Sequence, residues 1–155
     1  MKNLTPFPFS VSSTQTVLTE PVPLHRLIDQ LMIGLLPLVT GKKSFVINDV
    51  DHAFRVHADE NVLAFVLGNL LSGAINGTEN VCIRVEAVCN AAGVQIRVRN
   101  NGSHFYSTES HGFSCSMRSA VQAARQLGGN ISIYNQRHEG TTLTFFLAGC
   151  QTVPC

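Results

Sequence analysis

Two runs near the middle of the chain, VCIRVEAV and VQIRVRN, flank the short segment CNAAG and alternate apolar with polar residues. Period-two alternation on both sides of a tight turn specifies a pair of antiparallel strands with one buried and one wet face. A sheet of that kind needs cover on its apolar face, and helical segments elsewhere in the chain supply it. The segment PLHRLIDQLMIGLLPLV places Leu24, Leu27, Ile28, Leu31, Leu35 and Leu38 at helical spacing, with Pro23 suited to a first turn. Asp59 stands at an N-cap position ahead of Val62, Phe65, Val66, Leu70 and Ile75, which predict a second helix running to about Gly77. A third helix is predicted over 115–127, stopped by Gly128-Gly129.

The remaining apolar runs are short. SFVINDV and AFRVHA, separated by Asp51 and His52, predict one hairpin, and ISIYN and TTLTFFLA around the turn QRHEG predict another. Hairpins segregated from helices imply an α+β two-layer sandwich, with about three helices on one face of a mixed, mostly antiparallel sheet. The Ser, Thr and Pro of the first 22 residues carry no periodicity and read as an extended arm, which leaves 23–150 as the domain and 151–155 as a tail.

Composition narrows the function. At 155 residues, 45% hydrophobic and 14% charged, the chain has material for one well-covered core. Eleven Lys plus Arg against ten Asp plus Glu leave a net charge of +1, so no global field draws in nucleic acid or an anionic membrane. The longest strongly apolar stretch, 31–39, is interrupted by Gly34 and Pro37 and is far shorter than the roughly 20 residues of a membrane span. MKNLTPFPFS lacks the apolar run of a secretion signal, and a soluble cytoplasmic protein is the expectation. Cys82, Cys89, Cys115, Cys150 and Cys155 contain no C-x-x-C pair and read as reduced packing residues. The six histidines show no ligand spacing, and no metal-ligating residue is assigned.

Four strings, in order, resemble the ATP-binding domain of sensor histidine kinases, of the GHKL superfamily. DENVLAFVLGNLLSGAINGT is similar to that family's N box, with Asn69, Leu70, Leu71, Ala74, Ile75 and Thr78 matching. The resemblance implies a Mg²⁺ ligand at the position occupied here by Gly73, with Asn76 as a displaced substitute on the helical face of Asn69. VQIRVRNNGSHF resembles the strand and turn D-x-G-x-G; Asn100 takes the place of the adenine-binding Asp, Gly102 is retained, and His104 replaces the second Gly. GFSCSMRSAVQAARQLGGNISI resembles the G-x-G-L segment that opens a helix, with Ser114 and Ser116 at the glycines and Arg118 just after. A helix start there would present free N–H groups to phosphate. EGTTLTFFL matches the closing core strand.

The resemblance implies the Bergerat-type ATP-binding fold, with ATP and Mg²⁺ as cofactors and Asn69, Asn76, Asn100, Gly102, Ser114, Ser116 and Arg118 around the nucleotide. Positions that build the fold are retained, and those that hold metal, adenine and phosphate have changed. No H-E-type phosphoacceptor segment is seen; His25 lacks the flanking acid and reads as an exposed or capping residue. The expectation is a degenerate domain with weak or lost Mg-ATP binding and no catalytic residue of its own, docking on a response regulator or a kinase partner. The alternative is a catalytic domain that phosphorylates a His, Ser or Thr on a separate protein.

Overall fold

Residues 20–76, 79–101, 111–136 and 140–148 are described by a computed structural model, by backbone alone at 111–116 and 135–136. In chain order the elements are β1 (Pro21–Pro23), α1 (Leu24–Gly41), β2 (Phe45–Asn48), β3 (Arg55–His57), α2 (Glu60–Asn76), β4 (Cys82–Asn90), β5 (Gly93–Asn100), α3 (His111–Gln126), β6 (Gly129–Gln136) and β7 (Gly140–Ala148). A five-stranded sheet has the order β2-β4-β5-β7-β6, and β1 and β3 form a separate antiparallel pair. The larger sheet is antiparallel except where β2 runs parallel to β4. This is the expected α+β sandwich with a mixed sheet.

The alternation in β4 and β5 does what it predicts. Ile83, Val85, Val94, Ile96 and Val98 are buried toward the helices together with Leu143, Phe145 and Leu147 of β7. The β4–β5 turn closes on Asn90, whose Oδ1 accepts the N–H groups of Ala92 and Gly93 at 2.8 and 3.2 Å. Leu24, Leu27 and Ile28 of α1 and Leu63, Val66, Leu67, Leu70, Leu71 and Ile75 of α2 complete the core. Pro37 lies inside α1 on its exposed side, where the carbonyl that its missing N–H leaves behind can be hydrated. Among the described residues no helix is long and apolar enough to cross a membrane.

Asp59 caps α2 as expected: its Oδ1 accepts the Val62 N–H at 3.1 Å, and its carbonyl accepts that of Leu63 at 2.9 Å. Asp59→Ala should lower stability by about 1 kcal/mol, while Asp59→Ser should retain most of it. Urea denaturation of the two variants checks this; equal loss in both would show that the cap hydrogen bond is not the stabilising contact.

Three expectations are corrected. The turn at Asp51 forms, with the Ala53 N–H donating to Oδ1 at 2.7 Å, but the strands on either side do not pair. The β2 strand pairs with β4 and the β3 strand with β1, because Asn48 diverts the chain. Its Nδ2 donates to the His25 carbonyl and to Asp29 Oδ1, each at 2.9 Å, and its Oδ1 accepts the Val50 N–H at 3.2 Å. A parallel neighbour for β2 then needs a long crossover, which 49–81 provides by carrying α2. His25 is the second correction: it is half-buried, with Nδ1 2.6 Å from the Val50 carbonyl and its ring 3.7 Å from that of His52. Third, Cys89 is disulfide-bonded while Cys82 is free, so the reduced reading fails at Cys89.

Candidate functional site

The helix-facing layer is apolar along most of its length and turns polar at one end. Asn100, the last residue of β5, continues the inward series Val94, Ile96 and Val98 and is only 3% exposed. Register places it opposite Thr141 of β7, which is 1% exposed. A buried pair of this kind persists only where its hydrogen-bonding capacity is met, and an amide differs from a carboxylate in presenting both donors and an acceptor. In the sequence Thr141 shows only as part of a core strand. The signal for it was a Thr doublet between Gly140 and an apolar run.

The second wall is α2, which packs on β5. Asn69 donates from Nδ2 to the Phe65 carbonyl at 2.8 Å, one turn back in its own helix. Gly73 is buried. Asn76, one helical face with Asn69, is exposed, with Nδ2 3.5 Å from Ser72 Oγ. Among the described residues α2 offers Mg²⁺ no carboxylate here: Gly73 has no ligating side chain, and Asn69 and Asn76 could bring only neutral amide oxygens to an ion that requires near-octahedral oxygen donors. Among the described residues there is no group of three or more His, Cys, Asp or Glu that would hold a metal.

The third wall is α3, and its start is corrected. It begins at His111, four residues before the expected 115, so Ser116 lies beyond the first turn and its N–H belongs to the helical ladder. The Ser114 and Ser116 side chains, like Gly102 and His104, lie outside the described residues. Arg118 is exposed on α3, and Met117 is buried in the core at 8% exposure. The structure thus brings Asn100 and Thr141 together, places Asn69 and Asn76 on α2, and sets Arg118 on α3.

Phe65, expected on the buried face of α2, is 53% exposed. Close packing of α3 along α2 leaves it at the rim of an apolar groove of about 290 Å³, lined also by Val62, Ala123 and Gln126. Periodicity assigns a face to a helix and does not say where the neighbouring helix ends its cover.

No protein-family model matches the chain, and no curated protein matches it in sequence. Solved structures do. The chain is similar to the Acinetobacter baumannii histidine kinase AdeS at TM-score 0.67 and 14% identity, covering 83% of this chain and 66% of that one. It is similar to the catalytic domain of histidine kinase ThkA at TM-score 0.64 and 22% identity, covering 83% and 95%. Full-length ShkA, solved in complex with AMPPNP, gives TM-score 0.70 and 18% identity over 85% of this chain and 32% of that one. The chain has the fold of a histidine kinase catalytic domain.

Proposed function

We propose that this domain has kept the histidine-kinase ATP-binding fold while Mg-ATP binding has weakened or been lost, and that it acts as a regulatory protein-interaction module in two-component-like signalling. Its partner is a response regulator or another kinase. The observation that carries this reading is Gly73, buried in α2 at the position where the resemblance calls for a metal ligand. The later start available to phosphate is also gone, because α3 already runs through Ser114 and Ser116. Phosphoryl transfer depends on positioning and on metal charge neutralisation, and both are withdrawn by these changes.

A second reading is favoured by one observation, the buried Asn100 opposite Thr141. An active relative would hold nucleotide with Asn69, Asn76, Asn100, Gly102, Ser114, Ser116 and Arg118, and phosphorylate a His, Ser or Thr on another protein. The two readings separate in a thermal-shift titration with ATP, with and without Mg²⁺. A ligand at a hundred times its dissociation constant adds about 2.7 kcal/mol, which at this chain length moves the midpoint by roughly 5–10 °C. The proposal expects no Mg²⁺-dependent rise at millimolar ATP; a rise of that size would overturn it in favour of the catalytic reading.

A further inference from the structure

The face of the sheet away from the helices carries a feature that the nucleotide-binding fold does not account for. Cross-strand register sets Arg84 of β4 directly opposite Arg99 of β5. Like charges in that relation are unfavourable unless something lies between or beside them. Each guanidinium is held from its flank: Arg84 by Asp49, just past β2, and Arg99 by Glu86, with Nη1 2.9 Å from Oε2. The hydrogen bond that Arg84 donates to Asp49, with that carboxylate's charge, raises the Arg84 pKa above its ordinary value. Arg97, on the same face, donates to Gln95 at 2.9 Å, so three guanidiniums face two carboxylates.

A cleft of about 180 Å³ includes both opposed arginines in its lining, with Cys82, Asn100, Asn101 and Thr142. Neither Asp49 nor Glu86 lines it. Asn101 is oriented by the Cys82 N–H, which donates to its Oδ1 at 2.9 Å, so its Nδ2 is a donor group. Guanidiniums are donors without acceptors, each ion pair engages one nitrogen of a five-donor fork, and the Thr142 hydroxyl can donate as well. The polar groups around the cleft are therefore chiefly donors, without a lining carboxylate.

We propose that this cleft is a binding site for a phosphate-sized oxyanion, held by Arg84 and Arg99 with Asn101 and Thr142, on the opposite face of the sheet from Asn69 and Arg118. The flanking carboxylates cancel most of the formal charge, so affinity rests on directional, charge-assisted hydrogen bonds and discriminates by geometry more than by long-range field. Free phosphate and the phosphoryl group of a small metabolite offer the same oxygens. The site is independent of whether the helix-facing side binds ATP.

The test is a titration of the whole chain with inorganic phosphate, followed by backbone amide NMR, against chloride at matched ionic strength and against glycerol 3-phosphate. Saturable shifts at Cys82, Asn101 and Thr142 with phosphate, absent with chloride, are expected. Arg99→Gln and Arg84→Gln should each raise the dissociation constant about tenfold, and Arg26→Gln, at an exposed position on α1, should leave it unchanged. Stronger binding of glycerol 3-phosphate than of phosphate would assign the site to a phosphorylated metabolite, and equal binding to the free ion. Shifts that match those in chloride, or a dissociation constant unchanged in Arg99→Gln, a variant at an exposed side chain, would overturn the proposal.

Discussion

Gly140→Ala is expected to destabilise the domain by about 3 kcal/mol or more and to lower its melting midpoint by roughly 6–12 °C. Gly140 opens β7 at φ +93°, a conformation that side chains rarely adopt, and a Cβ there would stand 1.7 Å from the Asn100 carbonyl oxygen. Relief is not available by rotating a side chain, because the obstructing atom belongs to the backbone of β5. The strands would have to part at the end of the sheet where Asn100 and Thr141 face each other. Thermal denaturation with circular dichroism checks the size, and amide exchange at 98–101 and 140–143 checks the place. A loss under about 1 kcal/mol would mean that this end of the sheet adapts, and the buried Asn100–Thr141 pair would then be a weak constraint.

Phe145→Ala should cost about 3–5 kcal/mol, the range for emptying a buried aromatic site. Phe145 is fully buried on β7, and its ring reaches 3.0 Å from where a Cβ on Gly129 would stand. The edge strand β6 thus meets β7 through a glycine whose Cβ would stand 2.3 Å from the Phe146 carbonyl oxygen as well as against this ring, and truncation of the ring empties space beside both strands. Equilibrium urea unfolding measures the effect. An unchanged midpoint would require the cavity to collapse completely and would show that the Phe145 ring is not a main support of the core.

The parts of the fold that could be read from residues alone are those set by local periodicity. Alternation along 82–100 predicted β4, β5 and the wet face; helical spacing from Leu24 and the Asp59 cap predicted α1 and α2. What escaped the reading depends on partners distant in sequence. Asn48 sends β2 to β4 by bonding to α1, and no pattern within SFVINDV contains that instruction. Residues 111–114 joined α3 although their Gly, Ser and His content resembles a loop, because α3 is a helix whose stability comes from packing along α2 as well as from propensity.

The candidate sites divide in the same way. That position 73 is a glycine, with no side chain to ligate a metal, is a fact of sequence, and its burial in α2 is a fact of the fold. That Asn100 is buried opposite Thr141, and that Arg84 meets Arg99 across two strands, follows from register. Side-chain type and spacing by themselves determined most of the elements and which residue types stand at each position along them. Tertiary structure alone decided which strands pair, which face each helix leaves open and which distant polar groups meet, since those outcomes come from contacts between segments whose separation along the chain leaves no periodic trace.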